Sequence, residues 1–265
     1  MNSPVRVGIL DSGIGGLPAA RRLIDRFPNV AFRYLGDTAR GPYGMRSVET
    51  VRAFALQSLT HLLKMGLDCV IVSSHTVCAC AGRVLVEAAG VPVIDILNPT
   101  VDRACRLTRK GRIGVLGSEA LASSGAYESA IRRLRSTALV LTRPTPILEP
   151  MVIEGRLKKP ESLLIVKKYL LPLRRRQIDT LIPACGTYAP LQPVLQRKAG
   201  KRVQVIDPVH GLLERMEKVL EGITRPGEDG LVESRPRFFV TDLPPWLEAA
   251  ARRLFMGTLK LERAA

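Results

Sequence analysis

The stretch "RVGILDSGIGG" (residues 6–16) reads as a buried strand ending in a carboxylate and a hydroxyl, then running through glycines into a helix. An amphipathic segment over residues 17–26 follows it. The same alternation recurs along the chain. Strands are expected at residues 5–10, 31–35, 68–73, 91–96, 112–116, 138–141, 178–184 and 203–206. Helices are expected at 17–26, 47–65, 77–89 and 161–174 between them. Residues 208–220 read as a further helix, 224–235 as a turn-rich loop, 237–241 as a strand and 244–255 as a last helix. This pattern predicts an α/β protein with mainly parallel sheets wrapped by helices, and with its chemistry at the carboxyl ends of the strands.

The opening stretch is echoed by "RIGVLGSEALASSG" (residues 112–125) in its strand, its Leu-x-Ser turn and its helix. "VIVSSHT" (residues 70–76) is likewise echoed by "TLIPACGT" (residues 180–187). A spacing of about a hundred residues is too long for a solenoid repeat. It suits two pseudo-symmetric α/β domains facing each other, each lending a strand-end loop to a shared cleft. The boundaries expected are residues 1–97 with 208–265 for the first domain and 98–207 for the second.

A chain of 265 residues with 46% hydrophobic content can bury a proper core. No stretch approaches the ~20 apolar residues of a membrane span. The N-terminus lacks the apolar core of a signal peptide, so a cytoplasmic setting is expected. Five cysteines are an odd number in a chain too large to need disulfide staples. Cys78-x-Cys80 has no second ligand cluster and the three histidines are scattered, which argues against zinc. The net charge of +16 gathers in basic runs at residues 132–135, 167–168, 174–176 and 196–198. With few aromatics interleaved, these runs predict a solvated basic surface and only weak, non-specific binding of nucleic acid.

Four loops carry residues suited to chemistry. "LDSGIGG" (residues 10–16) offers Asp11, Ser12 and exposed N–H groups that favour an anion, although its glycine spacing does not imply a dinucleotide. "LGDTARGPYG" (residues 35–44) is a dense, glycine- and proline-punctuated loop. "VIVSSHTVCAC" (residues 70–80) brings Ser74, His75 and Thr76 to a strand end. "PACGTYAPLQPV" (residues 183–194) brings Cys185, Gly186, Thr187 and Tyr188 to another. A cysteine at the mouth of a cleft, near a carboxylate, is a candidate acid/base.

The ordered motifs "GILDSGIGGL", "LGDTARGPYG", "IGVLGS", "VIEG", "CGTYAPLQPV", "VIDP" and "FFVTDLPPW" resemble those of the glutamate racemases, in the cofactor-independent aspartate/glutamate racemase superfamily. The resemblance implies two thiols on opposite faces of the substrate α-carbon. One removes the α-proton and the other returns a proton from behind, without metal or pyridoxal phosphate. It implies D-glutamate supply for peptidoglycan, a homodimer and, in some members, binding to DNA gyrase. Residue by residue, it implies that Asp11 and Ser12 form the first substrate-binding pair, with Asp11 beside the first catalytic position. Tyr43, Gly44 and Thr76 match further substrate contacts. Glu154 matches the carboxylate that assists the second cysteine, and Cys185 matches that cysteine.

The departures fall on the catalytic loops. Where the family has Cys-Asn-Thr this chain has Ser74-His75-Thr76, and where it has Cys-Thr-His-Tyr this chain has Cys185-Gly186-Thr187-Tyr188. A serine hydroxyl is a far weaker acid than a thiol, whose unperturbed pKa is ~8.5. Weakened racemisation is therefore expected, with His75 or Cys78 as conceivable substitutes for the missing thiol. One alternative is a one-cysteine enzyme that decarboxylates or isomerises a carboxylic acid from a single face. Another is a non-catalytic, racemase-derived protein that binds nucleic acid or a protein partner.

Overall fold

Strand and helix alternate almost throughout the residues described in this computed structural model, 4–157, 159–223 and 235–264. The chain begins with β1 (Arg6–Asp11), α1 (Leu17–Arg26), β2 (Ala31–Gly36), α2 (Val48–Leu63), β3 (Cys69–Val72), α3 (His75–Ala88), β4 (Val93–Asp95) and α4 (Leu97–Leu107). There follow β5 (Arg112–Gly117), α5 (Glu119–Ser124), α6 (Ala126–Leu134), β6 (Leu139–Pro144), α7 (Leu148–Ile153), α8 (Pro160–Arg175) and β7 (Thr180–Pro183). The last elements are α9 (Gln192–Ala199), β8 (Gln204–Val205), α10 (Pro208–Glu221), β9 (Arg237–Val240), α11 (Pro245–Phe255) and β10 (Leu261–Arg263).

The strands pair in parallel and form two sheets, one ordered β10-β9-β2-β1-β3-β4 and the other β6-β5-β7-β8. The runs β2-β1-β3-β4 and β6-β5-β7-β8 are one arrangement used twice, so the echo in the sequence is an echo in space. In the first sheet Ile9 faces Tyr34 and Ile71 in register; in the second Val115 faces Thr142 and Ile182. Val7, Ile9, Ile71, Ile113, Val115 and Ile182 are wholly buried. Each such side chain contributes ~1.5–3 kcal/mol by leaving water. Strands covered on both faces carry no polar alternation, which is why β1, β3, β5 and β7 read as continuous apolar runs.

The two units also share a packing device. The third residue of β1 is Gly8, and a Cβ there would lie 2.4 Å from Leu67 Cδ1. The third residue of β5 is Gly114, where a Cβ would lie 2.9 Å from Ile178 Cδ1. In both places side chains of the covering layer rest directly on strand backbone.

The repeated topology sets two residues in equivalent places. Ser74 stands two residues past the end of β3 and caps α3, while Cys185 stands two past the end of β7 and precedes a 3-10 segment, Gly186–Leu191. The structure differs from the expected elements at several points. α3 begins at His75 rather than residue 77, because the Ser74 hydroxyl caps it at the Val77 N–H. α5 matches the helix expected within residues 112–125, whereas α4, α6, α7, α9 and β10 have no counterpart among the expected elements. The turn-rich stretch at residues 224–235 lies outside the described residues except for Arg235. Among the described residues no helix is long and apolar enough to cross a membrane.

Candidate active site

A cavity of about 560 Å³ opens where strand ends of the two sheets meet, a size suited to a small molecule. From the first sheet it is lined by Asp11, Ser12 and Gly15 after β1, by Tyr43 and Gly44 after β2, and by Thr76 in α3. From the second come Ser118 after β5, Thr145 and Glu149 after β6, and Cys185 and Tyr188 after β7. Trp246 and Arg253 of α11 complete the wall.

On the first side Asp11 is buried and held from several directions. Ser73 Oγ donates to Oδ2 at 2.8 Å and the Gly13 N–H to Oδ1 at 3.0 Å. Burial pushes its carboxyl up to about 6, against the pull of the Ser73, Gly16 and Gly13 hydrogen bonds. Ser74 is buried one layer behind the wall, with Oγ 2.9 Å from Ser12 Oγ and also serving as the cap of α3. His75 faces away from the cavity. Its Nδ1 lies 2.6 Å from the Tyr127 hydroxyl, its Nε2 is buried without a partner among the described residues, and burial pushes its pKa down to about 3. Cys78 is buried too, its thiol donating to the Val72 carbonyl at 3.3 Å. Neither His75 nor Cys78 lines the cavity, so neither is placed to stand in for a missing thiol.

The glycine- and proline-rich loop after β2 is organised by Asp37, which is fully buried. Arg40 Nε donates to it at 2.6 Å, Thr241 Oγ1 at 2.8 Å, and the Tyr43 hydroxyl donates to it as well. With its hydroxyl engaged, Tyr43 offers the cavity its ring and the backbone beside Gly44.

On the second side Cys185 is the one thiol of the five that lines the cavity. Its Sγ lies 3.0 Å from Thr187 Oγ1. Burial pushes the thiol well up and the carboxylate of Glu149 pushes it further; the Thr187 hydroxyl and N–H pull it back, and Asp11 adds a smaller push. The Tyr188 hydroxyl sits 2.8 Å from Thr145 Oγ1, joining the Cys185 loop to the segment leading into α7. Glu149 lies half-buried in the first turn of that helix, and burial, reinforced by Asp11, pushes its carboxyl up to about 7. Glu154, just past α7, reaches the cavity rim but is 58% exposed and pairs with Arg156 at 3.4 Å.

Several contacts join the sides directly, two of them beside the cavity. Thr76 Oγ1 meets Ser118 Oγ at 2.8 Å, and a Cβ on Gly186 would lie only 2.1 Å from the Gly15 carbonyl oxygen. Of the residues expected from sequence, Asp11, Ser12, Tyr43, Gly44, Thr76, Glu154 and Cys185 line the cavity. Ser74, His75, Gly186 and Thr187 support it from behind. Ser118, Thr145 and Glu149 were not foreseen. Ser118 and Thr145 could have been found by applying the strand-end rule to β5 and β6, and Glu149 by the presence of an acid within "ILEPMVI". Among the described residues, no group of three or more His, Cys, Asp or Glu side chains is placed to hold a metal ion. The arrangement can carry a proton to or from a small molecule on the Cys185 side.

The sequence profile of the Asp/Glu/Hydantoin racemase family matches residues 20–216. The glutamate racemase of Geobacter metallireducens is 32% identical over 96% of this chain and 93% of its own length. Glutamate racemase isoform RacE1 from Bacillus anthracis superposes with a TM-score of 0.89 at 30% identity, covering 100% of this chain and 98% of that one. The glutamate racemase of Francisella tularensis, solved with D-glutamate, gives 0.89 at 27% identity over 99% and 98% of the two chains.

Proposed function

The chain belongs to the Asp/Glu/hydantoin racemase family and within it to the glutamate racemases, and on that premise we propose that it acts at the α-carbon of glutamate through Cys185. One observation carries this reading: Cys185 alone among the thiols faces the cavity, near acids contributed by both sheets. Its thiolate takes the α-proton of L-glutamate, and the electron pair left on carbon delocalises into the α-carboxylate. Asp11, Ser12, Tyr43, Gly44 and Thr76 hold the substrate, with the N–H groups of the two loops turned to its carboxylates. On the opposite side no thiol faces the cavity: Ser74, at the place equivalent to Cys185, lies behind the wall with its hydroxyl tied to Ser12 and to the start of α3.

Removal of the proton and its return from behind are then unequal steps. In heavy water the protein exchanges the α-proton of L-glutamate faster than it forms D-glutamate, and scarcely exchanges that of D-glutamate. Ser74→Cys, which sets a thiol at the place equivalent to Cys185, raises inversion by about tenfold or more, worth ~1.4 kcal/mol of barrier. The ratio of exchange to inversion for each isomer, read by NMR and chiral chromatography, tests this. Rapid, symmetrical racemisation by the unaltered protein refutes the one-thiol account.

The same reading carries D-glutamate supply for peptidoglycan, a cytoplasmic setting, a homodimer and weak attraction to nucleic acid. It divides the chain into residues 1–97 with 208–265 and residues 98–207, a division supported by the membership of the two sheets. The engagement of Ser74 also favours a second reading, in which Cys185 protonates a planar carbanion from one face after decarboxylation. Carbon dioxide release from a panel of malonates, without exchange on glutamate, identifies that case.

A further inference from the structure

Glu149 lines the cavity without a hydrogen bond or an ion pair to any described residue. It sits in the first turn of α7. Thr145, three residues before that helix, is bonded to Tyr188, three residues beyond Cys185. The start of the helix and the thiol loop are thereby locked together, and Glu149 and Cys185 share one wall. Glu154 at the far end of the helix is mostly in solvent and turned to Arg156. The one basic side chain in the wall among the described residues, Arg253, donates to the Ile153 carbonyl at that same far end. Among the described residues nothing cationic in the wall therefore balances Glu149.

We propose that Glu149, rather than Glu154, is the carboxylate that governs the protonation of Cys185, a positioning role exerted by charge across the cavity wall. In a half-buried site two negative charges side by side are disfavoured, so sulfur and carboxylate together retain one proton. Moving that proton from S–H to the carboxylate leaves a thiolate and a neutral acid, with total charge unchanged. Glu149 thus lets the thiolate form without adding a second charge to the cavity. Both groups being pushed upward agrees with such sharing. The inference rests on the reading of Cys185 as the acid/base, but its test uses no substrate.

The experiment is alkylation of Cys185 by iodoacetamide from about pH 6 to about pH 11, followed by peptide mapping that separates the five cysteines. Glu149→Gln removes the neighbouring charge and lowers the midpoint by about one pH unit or more. Glu154→Gln leaves the midpoint where it is. In the unaltered protein the shared proton spreads the profile over two steps, a readout that needs no variant. An unshifted midpoint in Glu149→Gln, a single-step profile in the unaltered protein, or an equal shift in Glu154→Gln overturns the proposal. Failure of α-proton exchange with glutamate would instead strike the substrate assignment and leave the alkylation result legible.

Discussion

Ser73 and His75 flank the position where a thiol would be expected, and each is committed to something other than substrate. Ser73 donates its hydroxyl to Asp11 at 2.8 Å, binding the carboxylate that the family resemblance sets beside the first catalytic position. His75 is buried as a neutral ring against Tyr127. That burial has a consequence for pH. The ordinary pKa of 6.5 is pushed down to about 3, so the folded ring stays neutral while the unfolded chain takes up a proton as pH falls through that interval. Stability is unaffected above the window and declines within it. Replacing His75 by Asn abolishes this uptake. In urea unfolding, the loss of stability between about pH 7 and about pH 4.5 should shrink by about 2 kcal/mol in the variant. An unchanged loss would show that the ring is protonated in the folded protein.

At the level of elements, the loops after β1 and β7 meet backbone to backbone. Gly186 is required there, because a Cβ would lie 2.1 Å from the Gly15 carbonyl oxygen and neither main chain can yield cheaply. Gly186→Ala should destabilise the fold by about 2 kcal/mol or more and slow exchange on glutamate. Gly13→Ala, where a Cβ meets nothing within 4 Å, should change stability by less than about 1 kcal/mol. Urea midpoints for the two variants check the contrast, and equal effects would count against the close approach. Such contacts mark where the sequence stops being readable. β1, β3, β5 and β7 are legible because buried strands show as unbroken apolar runs, and Cys185 and Asp11 are legible because they follow such runs. α6 is not, since Gly125 at φ 64° separates it from the helix expected after β5. α7 is six residues long, too short for a helical period to declare which face Glu149 takes. The Ser73–Asp11 bond spans 62 residues, so no local pattern reports it.

Across the whole molecule the charge of +16 is only partly neutralised by structure. Arg132 pairs with Glu128 at 2.9 Å, and Arg135 donates to the Thr108 carbonyl at 3.0 Å. Lys167, Lys168, Arg175 and Arg176 of α8 and its end, and Arg197 and Lys198 of α9, have no ion pair with a described acid. Duplex DNA should therefore bind weakly, with Kd on the order of 10 μM, and lose at least tenfold in affinity between about 50 and 200 mM salt. Fluorescence anisotropy measures this, and sequence-dependent binding that survives the higher salt would refute a purely electrostatic surface. The strand order has a different consequence, for the chain as it leaves the ribosome. The four-stranded sheet has all its strands by Val205, whereas the six-stranded sheet still waits for β9 and β10, which cover the outer edge of β2. The middle of the chain can thus finish folding while the unit begun earlier is held open, with an unpaired edge exposed to neighbouring nascent chains. Trp246 and Arg253 close the wall of the cavity later still. A chain stalled before α11 therefore already holds Cys185 but lacks the part of the cavity wall that this helix supplies.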